Sequence, residues 1–160
     1  MPIELLADLQ SLDLSRVIVT HEEFYSRLQH RGTFAVIDGV LYHDPEKSII
    51  VGYKDITPDQ WWCADHIPGR PIFPGVLMVE ASAQLGTYEF YERRPETRNV
   101  FLGFTGINHT RFRAVVEPTC RLTFVGNLCR VRSNLFTYRS QAFVDKNLVF
   151  EGEVTGMVIG

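Results

Sequence analysis

His66 and Glu80 are the residues of this chain best suited to move protons. His66 opens the segment His66-Ile67-Pro68-Gly69-Arg70-Pro71-Ile72-Phe73-Pro74-Gly75, and Glu80 follows inside a run made otherwise of Val76, Leu77, Met78, Val79, Ala81 and Ala83. An imidazole is poised near neutral pH and can act as a base. A carboxylate among apolar side chains is costly to bury alone, so it needs a partner or a task. The prolines at 68, 71 and 74 make the segment stiff and shaped. Gly75 falls where a helix begins and backbone N–H groups have no intrahelical acceptor; without a side chain it lets a ligand oxygen approach them. A base, an N–H donor at a helix start and a carboxylate inside the helix are three parts of an enolate-forming site. The competing reading is an internal ion pair between Glu80 and an arginine such as Arg113. The histidines at 21, 30, 43 and 109 lack an i,i+4 metal spacing and read as surface or core residues; no metal site is expected.

These groups need a helix to hold them and a sheet to cover it. The pattern predicts a helix over about 75–92. At 100° per residue Glu80, Gln84, Thr87 and Tyr91 fall within roughly 60° of one another as a polar stripe. A helix apolar on its remaining sides is a buried one, so the stripe faces another polar surface, a partner subunit or a ligand cavity. Ser82, Ala83 and Gly86 are small enough to let a sheet approach. From Asn99 onward the period becomes two: 121–131, 135–144 and 148–158 each alternate, with turn residues at 132–134 and 145–147, and read as an antiparallel meander. Upstream, 33–43 and 47–56 read as a hairpin about Asp44-Pro45-Glu46. Thr20-x-x-Glu23 is a capping-box pattern opening a helix expected to stop near Gly32. Leu5, Leu6, Leu9 and Leu12 suggest a short helix or arm within 1–20, leaving 21–160 as a single domain. One long helix amid about six strands implies an α+β fold in which an antiparallel sheet wraps a central helix, the hot-dog arrangement.

Composition excludes several classes. A hydrophobic share of 45% and a charged share of 22% are those of a globular domain, and no apolar run reaches the length of a membrane span. The first residues lack the basic head and apolar run of a signal peptide. Cys63, Cys120 and Cys129 are odd in number and lack CxxC spacing, so they read as reduced thiols of a cytoplasmic protein. Neither membrane insertion nor a nucleic-acid partner is expected. The net charge of -3 hides an asymmetry: residues 1–92 hold six Lys/Arg against fourteen Asp/Glu, while 93–139 hold nine Arg against two acids. Such an Arg-rich stretch either meets an anionic partner or solvates the outside of a sheet.

The segment His66-x-Pro-Gly-x-Pro-Ile-x-Pro-Gly-Val-Leu-x-x-Glu80-Ala-x-Ala-Gln84 resembles the signature of the 3-hydroxyacyl-[acyl-carrier-protein] dehydratases, the FabZ/FabA-like hot-dog enzymes, and most closely their FabZ-type branch. Leu28-Gln29-His30-Arg31 is similar to the family's Leu-Pro-His-Arg, and Phe104–Arg113 to its Phe-x-Gly-Ile-Asp-x-x-Arg-Phe-Arg/Lys stretch. The resemblance spans roughly 25–160. It implies dehydration of (3R)-3-hydroxyacyl thioesters to trans-2-enoyl thioesters in fatty-acid, related lipid or polyketide synthesis, with His66 as base and Glu80 as acid. Gly75, Val76 and Gln84 would bind the thioester and the departing hydroxyl, and Ile67, Ile72 and Phe73 would line the acyl tunnel. No dissociable cofactor is implied, since the substrate rides on the phosphopantetheine of acyl carrier protein, which the Arg-rich 93–139 stretch would meet. The assembly implied is a homodimer with shared sites, often a trimer of dimers. A thioesterase or hydratase acting on coenzyme A esters, and a catalytically weak acyl-binding homologue, are the alternatives on the same fold. Asp65, Ile67 and Asn108 stand where the family usually has Gly, Phe and Asp.

Overall fold

The structure, a computed structural model, describes residues 2–160. Its frame is a seven-stranded antiparallel sheet: β1 (Val19–Thr20), β2 (Gly39–Asp44), β3 (Ile49–Ile56), β4 (Phe101–Phe112), β5 (Cys120–Arg132), β6 (Leu135–Val144) and β7 (Asn147–Ile159), in the order β1-β2-β3-β5-β6-β7-β4. The three helices are α1 (His21–Tyr25), α2 (Trp62–Asp65) and α3 (Gly75–Arg93). The expected hot-dog architecture is present, with the meander β5-β6-β7 at its centre and α3 against the sheet. The seventh strand, beyond the six expected, is the two-residue β1.

α3 is held by opposed small and large groups. Its apolar side packs with Ile50, Leu122, Phe124, Ala142 and Phe150 in one core. The Ser82 hydroxyl meets that of Ser140 at 2.8 Å, and a Cβ on Gly86 would lie 3.0 Å from the Tyr138 ring. Tyr138 is itself buried and tied to Glu89, so it has little freedom to yield. Gly86→Ala is therefore expected to cost about 1–3 kcal/mol from overpacking, read as a lower urea midpoint at unchanged slope.

Other expectations are corrected by the structure. The Thr20–Glu23 capping box forms, with the Glu23 N–H on Thr20 Oγ1 and the Thr20 N–H on Glu23 Oε2, yet the helix ends at Tyr25 rather than near Gly32. The Leu28 carbonyl, which a continuing helix would offer to the Gly32 N–H, accepts instead from Arg31 Nη1 at 2.7 Å. The first hairpin strand begins at Gly39, because residues 32–34 form a 3-10 turn that lays the following loop across α3. The anticipated helix within 3–12 is reduced to a 3-10 turn at Leu9–Ser11. Leu6, Leu9, Leu12 and Leu14 lie against Ile49, Val51, Val125 and Phe143, on the sheet face opposite α3. Gln141 fastens this arm, accepting from the Leu6 N–H and donating to the Glu4 carbonyl, both at 2.9 Å. The outer face of the sheet is thus partly apolar and covered.

Glu89, not Glu80, is the fully buried acid of α3. It accepts from Arg93 Nη2 at 2.7 Å, contacts His43 Nε2 at 3.2 Å, and accepts from the Tyr138 hydroxyl. Burial pushes the Glu89 carboxyl up, but hydrogen bonds from His43, Arg93 and Tyr138 outweigh it and hold the group below the ordinary carboxylate value. A depressed folded value means stability that is complete above the unfolded value and lost as pH falls through the folded one. Stability is expected to decline on acidification below about pH 4, and Glu89→Gln to flatten that decline in urea titrations run across the range.

Candidate active site

His66 is the residue just past α2 and caps it, its backbone N–H bound to the Trp62 carbonyl at 2.8 Å. α2 was not expected from the sequence; it forms because Trp62 is buried against Phe73, ring edge to ring face at 5.4 Å. The chain then turns sharply, with positive φ at Ile67 (56°) and Gly69 (83°). A left-handed backbone at a β-branched residue is strained, and the stiff prolines around it over-determine the turn. The turn returns the Ile72 carbonyl to His66 Nδ1 at 2.7 Å. A carbonyl only accepts, so Nδ1 carries the proton and Nε2 of the neutral ring is left as a base. Asp65, the last residue of α2, is exposed, and the partner of His66 Nδ1 is Ile72 rather than Asp65.

Glu80 lies one and a half turns into α3, its side chain 25% exposed. Its Oε1 accepts from Gln84 Nε2 at 2.7 Å and lies 3.4 Å from His30 Nε2. Arg113, the alternative partner considered above, pairs instead with Glu151 at 2.8 Å. Glu80 borders two cavities. One, of about 320 Å³, lies beneath His30, Thr87, Tyr91, Leu102 and Phe104; the other, of about 200 Å³, beneath Val76, Val79, Ala83, Ile107 and Phe104. The polar stripe of α3 therefore does meet a cavity. Gln84, between them along the helix, is fully buried.

Gly75 is the first residue of α3, and a Cβ there would lie 2.8 Å from the Phe112 ring, so the helix start has room only for glycine. Val76 beside it is 72% exposed. Phe73 is buried and borders a cavity of about 190 Å³ with Trp61, Trp62 and Leu77; Ile72 is half-buried and Ile67 exposed. Within the chain no hydrogen bond or ion pair joins His66 to Glu80 among the described residues. Glu80 lies near a bare edge, sharing its cavities with Phe104 and Ile107. β4 ends the sheet and exposes Phe101, Phe104, Ile107 and Phe112.

Comparison with known proteins decides the family. A FabA-like domain model matches residues 28–153. The chain belongs to the FabA-like family. Its relatives include the 3-hydroxyacyl-[acyl-carrier-protein] dehydratase FabZ of Campylobacter jejuni subsp. jejuni, 36% identical over 82% of this chain and 92% of that protein. The FabZ of Rickettsia typhi is 32% identical over 89% and 97%. These place this FabA-like chain on the FabZ-type branch. Among solved structures, the dehydratase heterocomplex ApeI:P from Xenorhabdus doucetiae superposes with a TM-score of 0.72 at 12% identity, covering 89% of this chain and 92% of that one. A mutant thioesterase PA1618 from Pseudomonas aeruginosa superposes with a TM-score of 0.68 at 14% identity, covering 91% and 98%. Both show the fold.

Two residues beside the candidate site were not singled out by the sequence. His30, expected at the surface or in the core, faces Glu80, and its place in the Leu28–Arg31 stretch is the signal that marks it. Burial lowers the His30 imidazole below its ordinary value, against the pull of the Glu80 charge. Tyr25 reaches Gln84 from α1, and nothing in its spacing announces that. The Arg-rich stretch is also largely committed within the chain. Arg93, Arg98, Arg113, Arg121 and Arg139 form ion pairs, and Arg94 lies over the Phe90 ring. Arg111, Arg130 and Arg132 make no ion pair among the described residues.

Proposed function

We propose that this protein dehydrates 3-hydroxyacyl thioesters carried on acyl carrier protein, in fatty-acid synthesis, at sites completed by two protomers of a homodimer. The observation that carries the reading is the Ile72 carbonyl on His66 Nδ1, which leaves Nε2 free to take a proton. His66 Nε2 removes the proton from the carbon next to the thioester carbonyl. The charge gathering on the carbonyl oxygen is met by the Gly75 and Val76 N–H groups and the positive end of α3. Glu80 gives its proton to the departing hydroxyl, which leaves as water; His66 then releases the proton it took to solvent and Glu80 takes one up, so both are reset for the next turnover. Gln84 keeps the Glu80 carboxyl in place. The chemistry needs no dissociable cofactor.

The cross-protomer arrangement accounts for two features together: His66 and Glu80 are not joined within one chain, and the Glu80 cavities open beside the apolar edge of β4. Pairing of that edge region with a second copy would close the cavities into an acyl path. Ile67, Ile72 and Phe73 lie on the His66 side of that path. Arg111, Arg130 and Arg132 are the cations left for the acidic carrier protein, and a trimer of dimers is the larger assembly the family resemblance suggests. Three free cysteines suit the reducing cytoplasm. No helix among the described residues is long and apolar enough to cross a membrane.

Incubation with 3-hydroxyacyl carrier proteins of several chain lengths, followed by mass spectrometry, tests the activity. Loss of one water with the thioester intact is the expected result. Release of free carrier thiol would make the protein a thioesterase instead.

A further inference from the structure

Four hydrogen bonds around Gln84 leave no atom with a choice of role. The Ile37 N–H donates to the Tyr25 hydroxyl oxygen at 2.8 Å. That N–H can only donate, so the Tyr25 proton is directed at Gln84 Oε1, 2.6 Å away. On the other side of the same amide, Gln84 Nε2 donates to the Phe34 carbonyl and to Glu80 Oε1, both at 2.7 Å. Both side chains are buried, Gln84 completely, so no water is at hand to replace a missing partner. A flipped amide would set its oxygen against the Phe34 carbonyl and the Glu80 carboxylate, three acceptors facing one another. Burial first of all, with the Asp38 and Glu80 charges adding to it, holds the Tyr25 phenol well above its ordinary value despite the Ile37 N–H, so its O–H is a standing donor.

The consequence reaches Glu80. Gln84 and His30 both address Oε1, which leaves Oε2 as the oxygen able to carry a proton toward substrate. We infer that Tyr25 is a positioning residue for the dehydration: through Gln84 it fixes the Glu80 carboxyl so that the acid proton is presented on Oε2. The inference rests on Glu80 being the acid, as proposed above. Tyr25 lies on α1, three residues before the 28–153 stretch matched by the family model. The phenol ring touches no cavity bordering Glu80; its influence runs only through the buried amide.

A double-mutant cycle on the full-length protein tests this, using wild type, Tyr25→Phe, Gln84→Leu and the double variant, with folding checked by urea midpoints. Tyr25→Phe is expected to lower kcat about tenfold, the scale of one lost buried hydrogen bond, with KM within about twofold. In the Gln84→Leu background the same change should lower kcat no further, while its cost to stability persists. A kcat unchanged by Tyr25→Phe, or lowered equally in both backgrounds, would overturn the inference. A second measurement needs no variant: in the wild-type protein, NOEs from the Gln84 side-chain NH2 should run to Phe34 and His30, and NOEs to the Tyr25 hydroxyl side instead would also overturn it. Full turnover by Glu80→Gln would strike the proposed function itself, whereas an inactive Glu80→Gln beside an unaffected Tyr25→Phe strikes this inference alone.

Discussion

Replacing His66 with Ala is expected to lower enoyl-thioester formation by about 10²–10⁴-fold, and Glu80→Gln by a similar factor, since each removes one proton-transfer partner. Neither change should unfold the protein. The part of His66 that secures α2 is its backbone N–H, which Ala retains. Glu80 is partly exposed and Gln is its isostere, so the loss there is one of acidity rather than packing. The check is turnover on a 3-hydroxyacyl carrier protein alongside thermal unfolding of each variant. The two defects should be alike in kind, falling in kcat with little change in KM, because both groups act on the transition state. The His66 result also bears on Asp65: with Ile72 holding Nδ1, Asp65→Gly should leave turnover nearly unchanged.

The second large effect is expected from a residue that does no chemistry. Ile107 is 57% exposed on β4, the bare edge of the sheet, and borders the smaller cavity beside Glu80. Ile107→Lys places a charge on an apolar edge without disturbing the protomer's own core. It should convert the proposed dimer to monomer by light scattering and reduce turnover by about 10² or more, although His66 and Glu80 both remain, because each would lose the other. A monomeric Ile107→Lys protein with wild-type turnover would show that one protomer suffices.

The sequence was most informative where periodicity is long and turns are chemically marked. Helix 75–92 and the three strands after 120 were placed to within a residue or two, because alternation over ten residues and turns such as Asp145-Lys146-Asn147 leave little freedom. Short elements followed tertiary demand instead. The expected helix to Gly32 is not continued past Tyr25, where Arg31 takes the Leu28 carbonyl, and α2 exists because Trp62 must be buried. Neither pull is visible in a local pattern. The apolar outer face was hidden for the same reason: Val51, Val125 and Phe143 look like solvated-side residues until the N-terminal arm covers them. Of the proposed site, His66, Gly75, Glu80 and Gln84 were singled out by residue types in a stiff segment. Tyr25 was not, since what brings it to Gln84 is the packing of α1 on α3, and His30 was marked only by its place in the Leu28–Arg31 stretch. Glu89 was passed over because its partners, His43 and Tyr138, come from strands distant in sequence.

The central claim is that a working site takes His66 from one protomer and Glu80 from its partner. Refolding equal amounts of His66→Ala and Glu80→Gln together tests it directly. A mixed dimer then holds one complete site and one site lacking both groups. With random pairing half the dimers are mixed, so turnover should return to about a quarter of the wild-type value from two proteins that are inactive alone. A mixture as inactive as its components, with mixed dimers shown to form by native mass spectrometry, would contradict the shared site and return both residues to a single chain.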